Sequence, residues 1–171
     1  MKCIFNHTLI ACALLFMSTQ ACTGGDQGQP IPLFVIESEQ FFDAPWPSDA
    51  RVDGEGFPVL QGYPNPETLP LLEAYTGFMQ TRKGFGTNSP IYFRFGKALT
   101  QLTQHEGAAS VEPDAGIRLI NIDPLSPHVG ERIPVQLEFM ELATKYNPAN
   151  LLAVAPVSGF PLRPATTYAV V

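Results

Sequence analysis

Apolar and polar residues alternate most clearly over residues 132–139. Ile133, Val135, Leu137 and Phe139 fall on one side of an extended chain, and Arg132, Gln136 and Glu138 on the other. Alternation with period two marks a strand with one buried face. Pro134 lies on the outward side and has no amide hydrogen, which predicts an edge strand or the first residues of one. Residues 90–95 alternate in the same way, with Ile91, Phe93 and Phe95 inward and Arg94 outward. Residues 116–122 form a third run, closed by the turn residues Asp123 and Pro124, and residues 151–155 and 167–171 make the fourth and fifth. One stretch carries the helical period instead: Leu71, Leu72, Tyr75, Phe78 and Met79 recur at three- and four-residue spacing. Asn65 can cap this segment, Pro66 can take its first position, and Glu67 suits its positive first turn. A helix over about 66–80 is expected, its apolar stripe laid against a sheet and its end marked by Gly84 and Gly86. The pattern predicts a mainly β fold with one packed helix.

Composition agrees with that pattern. Seventeen prolines and 14 glycines suit strands and turns rather than a helical bundle. With 45% hydrophobic and 15% charged residues, a buried core is expected and wholesale disorder is not. The 16 acidic against 10 basic residues leave a net charge of −6, which argues against nucleic acid or an anionic bilayer surface as partner.

The first 22 residues read as an address. Lys2 supplies a positive start, residues 8–17 are apolar over the length of a signal core, and the small and polar residues 18–21 precede Cys22. The apolar stretch is too short to span a bilayer, which takes ~20 such residues. The segment resembles a bacterial lipoprotein signal peptide, in which a small residue precedes the cysteine that is diacylated and becomes the new N-terminus. Ala21-Cys22 fits; Thr19 and Gln20 depart from the usual lipobox. Residues 9–12, Leu-Ile-Ala-Cys, match the lipobox letters better, but cleavage there would leave almost no signal core. A plain secretory signal cut near Ala21 is the alternative, with Cys22 a free thiol and the protein secreted or periplasmic. All three cysteines, Cys3, Cys12 and Cys22, fall within this segment, so neither a disulfide nor a cysteine metal site can staple the remainder. The expected organisation is a signal peptide over 1–21, an anchor cysteine and flexible linker over 22–30, and a β-rich domain over 31–171. Two acyl chains on Cys22 would make the lipid membrane a firm partner. Thr23 rather than Asp after the cysteine resembles outer-membrane sorting. Removing Lys2 with the leader takes the net charge to −7.

Near the C-terminus, Leu162, Pro164, Thr166 and Tyr168 form a Leu-x-Pro-x-Thr-x-Tyr signature. It resembles the turn before a central strand in fibronectin type III and bacterial Ig-like domains. That resemblance implies an Ig-like β-sandwich with a tyrosine corner: Leu162 plugs the core, Pro164 stiffens the turn, and the Tyr168 hydroxyl returns to backbone upstream. An ordinary proline turn is the alternative. In such sandwiches the strand after the tyrosine is central, so a chain ending at Val171 is expected to be the leading, truncated piece of a longer polypeptide, or to be completed by a neighbouring chain.

A wider resemblance runs in order over about residues 41–171. Residues 42–49, Phe-Asp-Ala-Pro-Trp-Pro-Ser-Asp, then residues 84–91, Gly-Phe-Gly-Thr-Asn-Ser-Pro-Ile, then Ala155-Pro156-Val157 and the tyrosine signature are similar to the N-terminal domain of bacterial virulence-factor lipases. Trp46 stands where that family more usually has Phe. The resemblance implies a non-catalytic β-rich domain preceding an α/β-hydrolase.

Catalytic chemistry is not written in the chain. No Gly-x-Ser-x-Gly elbow occurs, and His105-Glu106 lacks the second histidine of a zinc helix. Asp123, Ser126 and His128 have the letters of a triad, but Pro124 and Pro127 break the segment, and a loop is the better reading. Asp49, Asp53 and Glu55 lack calcium-loop spacing, Gly84-Phe85-Gly86 lacks the length and lysine of a phosphate loop, and Trp46 suits a buried anchor better than a binding platform. No catalytic residue, metal ligand or cofactor is expected. The expected function is that of a membrane-anchored bacterial lipoprotein with a non-catalytic Ig-like accessory or binding domain. The alternative is the N-terminal part of an exported lipase or esterase, with a C-terminal hydrolase domain as partner. Carbohydrate binding through the loops is a third, weaker possibility.

Overall fold

A computed structural model of the chain describes residues 30–99 and 107–171. The leader over 1–21, Cys22, most of the linker to residue 30 and the His105-Glu106 pair lie outside the described residues. Among those described, the fold is mainly β, with six strands in two antiparallel sheets and one helix.

The spine is β5 (Leu151–Pro156), apolar at every position. It pairs along its whole length with β4 (Val135–Met140), from Val135 opposite Pro156 to Met140 opposite Leu151, and on its other side with β1 (Ile91–Arg94). The second sheet places β2 (Leu119–Asn121) between β3 (Arg132–Ile133) and β6 (Tyr168–Val170). The single alternating run over 132–139 therefore serves both sheets. Its first part pairs with β2 and its second with β5, and the changeover falls at Pro134. Proline cannot donate a ladder bond, so the run breaks there, while the Pro134 carbonyl accepts the Val157 amide at 2.9 Å.

Because successive strand residues face opposite ways, each register assigns a core face. Leu137, Val154 and Ile91 lie across one line of the first sheet, and Phe139, Leu152 and Phe93 across another. They share one apolar core with Leu119, Ile133, Tyr168 and Val170 of the second sheet. Leu119, Val135 and Val154 are wholly buried there, each stabilising the fold by about 1.5–3 kcal/mol relative to exposure.

The opposite face of the first sheet is covered at one end only. Leu151, Tyr92 and Met140 lie under an aromatic cap built from Phe41, Phe42, Trp46 and Leu60. The rings meet edge to face, Phe41 with Trp46 at 5.2 Å and Phe42 with Tyr92 at 5.5 Å. Trp46 and Tyr92 also exchange backbone hydrogen bonds, at 3.1 and 2.6 Å. Arg51 is buried in this cap. Its guanidinium sits 4.2 Å from the Phe41 ring centroid and donates to the Phe41 carbonyl. Burial lowers its pKa, but a guanidinium stays charged. An ion pair between Arg94 and Asp43 closes the side of the cap, and the Ser38 hydroxyl donates to Asp43 Oδ2 at 2.6 Å.

The helix expected over about 66–80 is shorter: α1 spans Pro70–Met79. Pro70 sets its start, because the residue before a proline is pushed out of the helical region, and Leu69 is extended. Pro70 rather than Pro66 occupies the first helical position. Asn65 serves the preceding turn: its Oδ1 accepts the Leu69 amide at 2.9 Å. The stripe does not lie on a sheet. Met79 packs against the aromatic cap, while Leu71, Tyr75 and Phe78 are exposed and no residue of α1 is buried. Among the described residues, no helix is long and apolar enough to cross a membrane.

Candidate functional site

The turn before β6 places its three signature residues in different roles. Leu162 is half-buried against the shared core, and its amide donates to the Thr87 carbonyl at 2.9 Å. Pro164 is exposed and is followed by Ala165 at φ 51°, a left-handed conformation that bends the chain back. The Tyr168 hydroxyl then accepts the Arg163 amide at 2.9 Å, so the ring spans from the core to the upstream backbone.

Asp123, Ser126 and His128 are brought into one loop without a catalytic geometry. The loop is organised by Asn121, which is wholly buried at the end of β2. Its amide nitrogen donates to Ser126 Oγ at 2.9 Å, and its Oδ1 accepts the Asp123 amide at 3.0 Å. Asp123 Oδ1 accepts the Leu125 amide at 2.9 Å, and Ser126 Oγ accepts the His128 amide at 3.1 Å. The exposed His128 ring has Nδ1 3.7 Å from Glu131 Oε2. Each side chain is engaged with the loop itself, and neither Asp123 nor Ser126 addresses the imidazole. Asp53 is used in the same way: Oδ1 accepts the Glu55 and Phe57 amides, both at 2.9 Å, and these backbone bonds hold its carboxyl below the ordinary range. No cluster of three His, Cys, Asp or Glu side chains suited to a metal ion occurs among the described residues.

The three separated segments that carried the wider resemblance meet in space. Trp46 of the first and Phe85 of the second pack edge to face at 5.2 Å. Thr87 of the second accepts the hydrogen bond from Leu162 of the third. These residues build the cap and tie it to the turn before β6; they form a scaffold.

The end of the first sheet that the cap leaves uncovered holds an open trough of about 1170 Å³. It is lined by all three strands of that sheet. Ala153 and Ala155 of β5 form its floor, with Tyr92 of β1 on one side and Gln136 and Glu138 of β4 on the other. Asn88, before β1, and Asn147, in the β4–β5 connection, stand at its walls. Asn147 is held in place by its amide nitrogen 3.3 Å from Met140 Sδ and by its backbone amide donating to Thr144 Oγ1 at 3.0 Å. Burial pushes the Tyr92 phenol pKa up, and Glu138 and Tyr75 add to that; Tyr63 rises by burial, with Tyr92 and Tyr75 adding to it. A smaller opening of about 610 Å³ lies between the turn Ala108–Val111, β3 and the Val157–Arg163 loop, where Arg132 donates to the Val111 carbonyl at 2.9 Å and Arg163 pairs with Glu131 at 3.2 Å.

Sequence reasoning assigned none of the trough residues to a site, although Asn88, Gln136, Glu138 and Ala155 stand in the strand and motif segments it marked. The available signal was the outward register of Gln136 and Glu138 together with two alanines at alternate positions of β5, a combination that leaves a depression between taller neighbours. Comparison of the chain with protein-family models, curated proteins and solved structures finds no significant match.

Proposed function

We propose that this chain is a membrane-anchored bacterial lipoprotein whose β-rich portion is a non-catalytic, Ig-like accessory or binding domain, held to the outer membrane through diacylated Cys22. The observation that carries the reading is the convergence of the three motif segments into a scaffold, through Trp46 on Phe85 and Thr87 on Leu162.

The strand order supports the Ig-like part. Taking β1 to β6 as strands B, C, C′, D, E and F gives B-E-D in one sheet and C′-C-F in the other, and the bridge from Pro32 to Phe95 supplies an A position beside B. The Tyr168 hydroxyl bond to Arg163 then falls between E and F, where a tyrosine corner belongs. The engagement of Ser126 with Asn121 and with the His128 amide supports the non-catalytic part. Assay of the detergent-solubilised full chain on p-nitrophenyl butyrate tests it. Hydrolysis no faster than the blank is expected. Turnover that Ser126→Ala abolishes would overturn it.

A second reading, the N-terminal part of an exported lipase or esterase, is favoured by the edge of β6. Among the described residues β6 pairs with β2 alone, whereas strand F of an Ig-like domain is flanked on both sides. On this reading further polypeptide supplies the seventh strand and then the hydrolase. DNA 3′ of the Val171 codon that encodes a strand and then a Gly-x-Ser-x-Gly elbow supports it; an immediate stop codon removes it.

A further inference from the structure

We propose that the trough across the outer face of β1, β5 and β4 binds a neutral oligosaccharide. The inference rests on the reading of the chain as a binding domain and names the ligand class and the site. Charge narrows the choice first. Among the described residues, Glu138 is the one charged side chain lining the trough, and no lysine or arginine lines it. A phosphate, sulfate or uronate polymer would meet a carboxylate and no cation, so anionic ligands are disfavoured.

The polar groups fit hydroxyl-rich ligands. Asn88, Gln136 and Asn147 each present a planar amide with donors and an acceptor side by side, a match for neighbouring hydroxyls that are themselves donors and acceptors. Glu138 adds a strong acceptor. Tyr92 and Pro90 add apolar atoms to the lining, suited to the C–H side of a sugar.

Shape and direction argue against an extended peptide. Strand addition needs a free sheet edge, where backbone groups are available. The trough instead lies on a face lined by all three strands, so a peptide in it would find no ladder. Its floor is also rigid. Ala153 and Ala155 belong to the β4–β5 ladder, and the far side of that sheet is packed in the shared core, so the backbone that carries Gln136 and Glu138 is fixed before a ligand arrives.

The test uses the detergent-solubilised full chain with maltohexaose, cellohexaose and the hexamer of N-acetylglucosamine, and a heparin hexasaccharide as the anionic comparison, read by saturation-transfer NMR and calorimetry. Saturable binding of at least one neutral hexasaccharide, with Kd below about 1 mM, is expected, and none of heparin. Asn88 and Gln136 are exposed, so Asn88→Ala and Gln136→Ala should keep the wild-type melting temperature while weakening binding about tenfold or more each. Absence of binding by all three neutral sugars overturns the proposal, as does binding that both variants leave unchanged, or heparin binding as tightly. Lipidation of Cys22 is measured separately. A diacylated chain that binds no sugar loses this inference and keeps its anchor, and an unlipidated chain that binds one does the reverse.

Discussion

Ser110 shows how much of the fold can hang on one hydroxyl. It is wholly buried, donates to the Gly107 carbonyl at 2.6 Å and accepts the Val135 amide at 2.8 Å. Val135 is the first residue of β4, and its amide takes the Ser110 hydroxyl as its acceptor. Ser110→Ala therefore leaves a buried N–H without a partner and should cost about 2 kcal/mol, seen as a lower denaturant midpoint at unchanged slope. On the surface, Glu67 receives Lys145 Nζ and the Tyr146 hydroxyl, both at 2.5 Å. Its pKa is held down by Lys145 first and Tyr146 second, and the same bond raises that of Tyr146. A carboxyl whose folded pKa is depressed contributes stability above its unfolded pKa and loses it as pH falls through the folded value. The raised tyrosine contributes below its unfolded pKa and loses that as pH rises through the folded one. In an NMR titration, Lys145→Ala should move the Glu67 midpoint upward, and 1 M salt should move the wild-type midpoint the same way.

At the scale of elements, the strands were legible because their inward residues alternate against a core. Residues 91–94, 119–121, 151–156 and 168–170 are strands that coincide with the runs the pattern marks to within three residues at either end. Pairing was not legible. Nothing in the alternation over 132–139 says that its halves belong to different sheets, although Pro134 marks the place where a ladder has to break. The start of α1 had a signal that apolar spacing overrode, since Pro70 forbids a helical Leu69. The aromatic cap was hidden because it is assembled from Phe41, Trp46 and Phe85, far apart in sequence, and the trough because it is a space left between elements. Two leucines test the resulting picture of which surfaces matter. Leu71 on α1 is 85% exposed, and Leu71→Gln should change stability by no more than about 0.5 kcal/mol. Leu151 is wholly buried between β5 and the cap, and Leu151→Ala should cost about 3 kcal/mol or more by thermal or denaturant unfolding. Equal effects at the two sites would contradict the assignment of the buried face.

For the whole molecule, a single chain divides its labour by layer. The second sheet and the inner face of the first make the core, the cap closes one end of the outer face, and the trough is left at the other. The chain is acidic overall, with 16 Asp and Glu against 10 Lys and Arg, and all three cysteines fall within residues 1–22. On the proposed reading Cys22, beside a signal-like segment, is the attachment point. The most direct measurement is mass spectrometry of the N-terminal peptide from protein recovered in the membrane fraction. Diacylglyceryl-modified Cys22 as the first residue is the expected result. Unmodified protein in the medium, or a membrane form that still carries residues 1–21, would contradict an envelope-anchored domain.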